Sequence, residues 1–401
     1  MKKKLNVLVT DGENRSSLAV TRSLGSAGHI IYVSSKNKQS ISGVSKFCRK
    51  SFRTSDPENR IDQYIQEIID LTDKESIDII IPTSESTIYA LNTVRNNITA
   101  NCLIACPESA KFDSISNKFE LFKKAEKCGV PIPKTIFIEN KNDLCAKIHQ
   151  VTNYPVVIKP GKSKFRKGNG YISSSVKYAG SEAEILEIYR ETEVLNYPSM
   201  IQEKIKGPGT GLFTIFDKDK HLVLFSHQRL REKPPSGGVS VVCKSIDIDE
   251  EMVEASQKML SSVNWPGVAM VEFKKDIRDG KSKLMEINGR FWGSLQLAIS
   301  SGVNFPRLLI DYLYSKPFPS NFNEYAKNMK MKWFLGTLDH LFIRLKNNDL
   351  NSAQKISHKS RFCALIEFLK ICDSKTSFDV LNSNDLRPFL TELKQYLGFS
   401  R

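Results

Sequence analysis

With 401 residues, 40% of them hydrophobic and 26% charged, the chain is long enough for about two to three domains and has an ordinary globular composition. No apolar run reaches the roughly 18 residues a membrane helix requires, so no membrane span is expected. The net charge of +15 raises nucleic acid as a partner, but the basic residues are spread along the chain and no finger, RNP or basic-zipper pattern accompanies them. The expectation is no nucleic acid; a small anion suits the charge better.

The start at Met1-Lys2-Lys3-Lys4 imitates a secretion signal only briefly, because the apolar stretch ends at Asp11 and no small-residue cleavage site follows. Eight cysteines are scattered, with no Cys-x-x-Cys pair and no histidines at metal spacing. Neither a disulfide framework nor a zinc site is expected, and a reducing cytoplasm is the simplest location.

In chain order, Leu5 to Thr10 reads as a strand, Asp11 to Asn14 as a turn, Ser16 to Ala27 as a helix stopped by Gly28, and Ile30 to Val33 as a strand. A helix at Arg60 to Leu71, a strand at Ile77 to Ile81 and a helix at Ser86 to Arg95 continue the alternation. Alternating strands and helices imply a parallel sheet whose ligands approach the carboxyl ends of the strands, so Asp11 to Asn14 and Thr83 to Glu85 are candidate contacts. The first of these turns lacks Gly-x-Gly-x-x-Gly, which argues against a dinucleotide.

Further on come a helix at Ser116 to Lys127, a β run at Tyr154 to Lys159, and a basic loop from Gly161 to Gly170 carrying Lys162, Lys164, Arg166, Lys167 and Gly168. Glycine lets backbone N–H groups approach an anion and Lys159 adds a charge, although such a loop also suits a solvated surface turn. A helix fits Ser181 to Glu193, and strands fit Met200 to Ile205, Leu212 to Phe216 and Leu222 to Arg229. Gly207 to Gly211 reads as a hinge, and Pro234 to Gly238 as a loop. The end of the Met200 to Ile205 strand can offer a backbone donor and acceptor to a purine edge, or equally be a solvated sheet edge.

After a helix in the 250s, Val271 to Phe273 and Leu284 to Arg290 flank Asp279-Gly280 and read as a hairpin. Such a hairpin can bring Glu272 and Glu286 together, and strand alternation points Glu286 and Asn288 the same way. All-oxygen donors without His or Cys suit Mg²⁺; the same residues also suit a solvated surface hairpin. Beyond Pro317 the pattern is helical and basic, clearest at Lys332 to Leu345 and Phe362 to Ile371.

Taken in order, Lys118, Lys159, Glu203-Lys204, Glu272, Glu286, Asn288 and Arg290 resemble the ATP-grasp superfamily, in particular its carboxylate-amine ligases and its carbamoyl phosphate synthetase-like branch. The resemblance covers roughly residues 1 to 315. It implies an α/β and α+β fold: a Rossmann-like domain over residues 1–106, a two-lobed ATP-grasp core over 107–316 (lobes 107–199 and 200–316), and a helical C-terminal region over 317–401.

It also implies roles. Lys118 and Lys159 would contact ATP phosphates, with Gly168 in a loop closing as a lid; Glu203 and the backbone of Lys204 and Ile205 would hold adenine. Glu272, Glu286 and Asn288 would bind Mg²⁺, as two ions with Mn²⁺ an alternative, while Arg290 and Lys159 would act in catalysis. Arg229, Arg231, Ser236, Gly237 and Gly238 lie between linker and hairpin and are candidates for the acceptor site. The partners implied are a small-molecule carboxylate and an amine, and a homodimer is admitted.

Where biotin carboxylases follow the arginine with Gln-Val-Glu-His, this chain has Phe291-Trp292-Gly293-Ser294. That departure, and a basic rather than all-glycine loop, point away from biotin carboxylation and toward ligation. A carboxylase or carboxylate kinase using bicarbonate or water, and a non-catalytic nucleotide-binding regulator, are the alternatives.

Overall fold

The computed structural model describes residues 4–98, 102–173, 175–235, 237–314, 324–346, 365, 366, 368 and 375–398. The expected helix at Phe362 to Ile371 falls largely outside these residues, as does Ser236.

The N-terminal part is a parallel sheet. Strands β1 (Asn6–Val9), β2 (Ile30–Ser35), β3 (Cys48–Arg53), β4 (Ile79–Ile81) and β5 (Leu103–Ile104) lie in the order β3-β2-β1-β4-β5. Helix α1 (Arg15–Ser26) follows β1, α2 (Ile61–Lys74) follows β3, and α3 (Glu85–Thr93) follows β4. The order reverses direction between β1 and β4, so the crevice beyond their carboxyl ends is the switch point where open α/β sheets place ligands. Asp11, held at φ 54°, fixes that edge by accepting from the Thr10, Ser84 and Thr87 hydroxyls and the Thr83 amide. β3 carries Arg49, Lys50 and Arg53 and has no apolar alternation, so its sequence does not betray it as a strand.

Two helices, α4 (Ser109–Ser116) and α5 (Lys118–Lys127), lead into an antiparallel sheet of β6 (Thr135–Ile138), β7 (Val156–Pro160), β10 (Lys177–Ala179) and β11 (Ser199–Glu203), ordered β10-β7-β11-β6. The stretch read as a basic loop is in fact a hairpin: β8 (Lys164–Lys167) pairs antiparallel with β9 (Gly170–Ser173). It is docked, because the Tyr171 amide donates to the Glu58 carbonyl, Lys164 pairs with the Glu58 carboxylate at 2.7 Å, and Phe165 stacks on Tyr197.

The third sheet contains β12 (Gly209–Asp217), β13 (Lys220–Lys233), β14 (Val239–Ser245), β15 (Gly267–Lys275), β16 (Ser282–Asn288), β17 (Lys330–Lys332) and β18 (Thr376–Phe378), in the order β16-β15-β12-β13-β14-β17-β18. The expected hinge at Gly207 to Gly211 is tied down: β12 begins at Gly209, the Pro208 carbonyl accepts from the Lys275 amide and the Lys206 carbonyl from the Ile277 amide. One face of this sheet packs Phe213, Phe225, Trp292 and Phe305 into a core continuous with Val7, Val20 and Ile31 of the N-terminal sheet. The other face packs Trp265, Phe273 and Leu284 against Met259 and Phe112. Truncating one such aromatic to alanine costs about 3–5 kcal/mol.

The C-terminal region carries the expected helical character at Phe334–Lys346 and Arg387–Tyr396, and also supplies β17 and β18. It is bound across the molecule, since the buried Arg22 of α1 donates to the Asp385 carboxylate and to the carbonyls of Asp379 and Val380. Among the described residues, no helix is long and apolar enough to cross a membrane.

Candidate active site

Between the second and third sheets lies a cavity of about 530 Å³. One wall is the β15–β16 hairpin, where Glu272 and Glu286 are direct cross-strand partners. A bulge just beyond that pair gives β16 an extra residue, so the neighbours Met285 and Glu286 both line the cavity. Asn288, two residues on, donates to the Glu286 carboxylate at 3.0 Å. Gly289 is required there because a Cβ would sit 2.4 Å from the Trp265 ring.

The carboxylates are paired with cations. Glu272 binds Arg229, which is also held by Glu232 at 3.2 Å, and Glu286 lies 3.4 Å from the Lys118 ammonium. Burial raises the Glu272 carboxyl pKa, with Arg229 opposing and Glu286 adding to the rise. Burial also works against the Glu286 charge, but Lys118, the Asn288 hydrogen bond, Arg229 and Lys159 outweigh it and hold this carboxyl low. The pair is a concentration of negative charge that the protein balances with its own cations.

Lys118 opens α5 and reaches across to the Ser163 hydroxyl at 2.7 Å. Lys159 sits on β7 opposite Met200, its ammonium over the Phe122 ring. It is buried, and desolvation, opposed by Glu286 and aided by Lys118 and Lys274, brings its pKa down to about 8. At the far end of the cavity, Glu203 accepts from the Lys134 amide and pairs with Arg278 at 2.7 Å, while Lys204 lies over the Tyr178 ring. Val157, Ile205, Phe273 and Met285 give this end an apolar wall.

Most candidates are therefore brought together: Lys118, Lys159, Glu203, Lys204, Ile205, Arg229, Gly237, Gly238, Glu272, Glu286, Asn288 and Arg290 line one cavity. Gly168 and Arg231 do not line it. Gly168 is at the turn of the β8–β9 hairpin with φ 60°, and of the loop before it only Lys162 and Ser163 reach the wall. The expected glycine cradle is replaced by side-chain contacts, with Lys162 pairing to Asp113 and Lys167 to Glu193. Arg229, at the end of the expected Leu222 to Arg229 strand, lies against Glu272.

Other wall residues escaped the sequence reading. Gln202 and His227 each present a buried side-chain atom with no hydrogen-bond partner among the described residues, Oε1 and Nε2 respectively, and both residues line the cavity. Burial pushes the His227 imidazole well below its usual pKa, so it is neutral. Alternation with Phe225 and Arg229 along β13 was the available signal for His227. Arg15 is the other omission, and no local pattern marks it.

A second chamber of about 480 Å³ adjoins the first across Arg15, Lys118, Ser163, Glu286, Asn288, Arg290 and Gly293. Its remaining walls come from the switch point, at Asn14, Ser16 and Thr83 to Ser86, with Glu58 and Lys164. Both turns named from sequence thus contribute, though Asp11, Gly12 and Glu13 do not.

The donor set fits Mg²⁺. Two carboxylates and an amide converge on the cavity, all oxygen ligands. Among the described residues no group of three His, Cys, Asp or Glu gathers, so the remaining ligands would come from phosphate and water, as is usual for this ion.

Residues 218–336 match the family model described as ATP-grasp in the biosynthetic pathway with Ter operon. The chain is 23% identical to a D-aspartate ligase of Enterococcus faecium (strain Aus0004) over 66% of this chain and 66% of that one, just under two thirds of the relative's length. In fold it is similar to the biotin carboxylase of Campylobacter jejuni, with a TM-score of 0.64, 15% identity, and coverage of 82% and 74% of the two chains. It is likewise similar to the L-amino acid ligase from Bacillus licheniformis, with a TM-score of 0.60, 17% identity, and coverage of 82% and 79% of the two chains.

Proposed function

We propose that the chain is an ATP-grasp protein acting as an ATP- and Mg²⁺-dependent ligase that joins a carboxylate to an amine, forming an amide or peptide bond. A substrate carboxylate oxygen would bond to the γ-phosphorus of ATP, ADP would leave, and the amine would then displace phosphate from the acyl carbon with loss of a proton. The observation that carries the reading is the cross-strand Glu272–Glu286 pair with Asn288, facing Lys118 and Lys159 across one cavity.

Glu203, with the backbone of Lys204 and Ile205, supports adenine at the apolar end. Lys118 and Lys159 hold the phosphates, and Lys159, buried against Phe122, supplies a cation with little water to screen it. Glu272, Glu286 and Asn288 would hold the metal, as two Mg²⁺ ions or Mn²⁺ in their place; when bound, it neutralises charge on the transferring phosphoryl group. The Lys118 ammonium, 3.4 Å from Glu286 on the cavity wall, would turn to phosphate where Glu286 serves as a metal ligand. Arg290, whose Nε is buried without a partner among the described residues, lines both chambers and would stabilise the transferring group.

The ligase relatives favour an amine acceptor over bicarbonate. An ADP-release assay with acids and amines offered singly and in pairs tests this. ADP formation should need both partners. Release with bicarbonate alone would overturn the ligase reading, and no release with any pair would favour a nucleotide-binding regulator. A homodimer is part of the same proposal, checked by sedimentation.

A further inference from the structure

Arg15 opens helix α1 and lines both chambers, and nothing in the sequence pattern or the proposed chemistry uses it. Its guanidinium is placed with unusual care. Nη1 donates to the buried Asp379 of the C-terminal region, and the plane lies over the Trp333 ring at 4.1 Å. Nη2 points at Gly293, where a Cβ would come within 3.1 Å of it, and it has no acceptor among the described residues. Gly293 in the Phe291-Trp292-Gly293-Ser294 segment thus leaves the space in which this fork stands. The guanidinium is held on one side and open on the other, which is the geometry of a carboxylate receptor.

The surroundings give the ligand's shape. Asn14 makes no side-chain cap among the described residues, and Asn14 to Ser16 place the start of α1, whose field favours an anion, at the chamber wall. Across the chamber is Glu85, whose contact with Arg290 is long, at 3.9 Å. Glu58, by contrast, is already occupied by Lys164 and the Ser86 hydroxyl. A cation clamp facing a loosely held carboxylate matches a zwitterion.

We infer that Arg15 is a specificity-determining residue that receives the carboxylate of a small α-amino acid in the second chamber, with Glu85 receiving its ammonium group. This rests on the ligase reading for its place in the reaction, but not for its binding geometry. It also gives the C-terminal region a role: Asp379 and Trp333 are positioning residues that act through Arg15.

The test is calorimetric binding in the presence of ADP and Mg²⁺, using the D and L forms of aspartate, alanine and lysine as probes, with the corresponding acid lacking the amino group as control. The tightest probe should bind about tenfold more weakly to Arg15→Lys, which keeps a charge for Asp379 but loses the fork, and to Gly293→Ala, which crowds Nη2 without touching that pair. ADP affinity should stay within about twofold in both. Glu85→Gln should remove most of the preference for the amino acid over its deaminated control.

Wild-type protein that binds no probe, or variants that bind like wild type, would overturn the assignment. An unchanged preference in Glu85→Gln overturns the ammonium half. Amino-acid binding that follows these variants while no pair releases ADP would sink the ligase reading and leave this one standing; turnover with unaltered variants does the reverse.

Discussion

The two chambers share one wall, which includes Arg15, Lys118, Glu286, Asn288 and Arg290, yet they are built differently. The first is made largely by antiparallel strands, and its carboxylates are paired with cations: Glu272 with Arg229, Glu286 with Lys118, Glu203 with Arg278. The second is made by turns and helix starts gathered from distant parts of the chain, and its charges are only partly matched, with Arg15 open at Nη2 and Glu85 at a long contact from Arg290. A site whose cations already neutralise its carboxylates is ready to exchange them for metal and phosphate. A site with unmatched charge is ready to select a ligand.

That contrast predicts where damage is catalytic and where it is structural. The largest effect should come from Glu286→Ala, which should lower ADP formation by about a thousandfold or more while leaving thermal unfolding nearly unchanged, because its side chain is 32% exposed to the cavity and carries little packing. Near wild-type turnover would remove Glu286 from the metal site. Lys159→Met keeps the apolar stem over Phe122 and loses the charge, so ATP should bind about ten- to a hundredfold more weakly by calorimetry.

A smaller effect is expected behind the second chamber. Glu392 accepts from the Trp333 indole at 2.9 Å, and burial together with Asp379 pushes its pKa up to about 7. Because the folded state holds this proton more tightly than the unfolded chain, stability falls as pH rises from the unfolded carboxylate range through about 7. Glu392→Gln keeps an acceptor for Trp333 and removes the titration. It should gain about 1–2 kcal/mol over wild type at pH 8 and almost nothing near pH 5, in paired denaturant melts.

The smallest functional effect should come from Gly168→Ala. The substitution strains a positive φ, at a cost of about 1 kcal/mol in stability, but should leave ATP affinity within about twofold, since the hairpin tip is off the cavity wall. A large loss of affinity would mean that the hairpin tip reaches the nucleotide after all.

The difference between the chambers is also a difference in legibility. Glu272, Glu286 and Asn288 could be read because a strand has period two and Asp279-Gly280 marks the reversal, so their convergence is a local property. The parallel N-terminal sheet was readable for the same reason, from short apolar runs alternating with amphipathic helices. The basic stretch from Gly161 to Gly170 misled because lysine and glycine suggest a loop, whereas the β8–β9 hairpin it enters is stabilised by Glu58 and Tyr197 from elsewhere.

Sequence by itself therefore determined the oxygen cluster, the two lysines before it and the order of the parts, since each depends on neighbours within a few residues or on a motif order along the chain. Only the tertiary structure decided that Arg229 answers Glu272, that the hairpin is docked, and that Arg15 stands in the space left by Gly293 with Asp379 behind it. Arg15 and Asp379 are 364 residues apart. No periodicity spans such a distance; the contact exists because α1, the segment after Arg290 and β17 share one core and β18 pairs with β17, and packing is set by the whole chain at once.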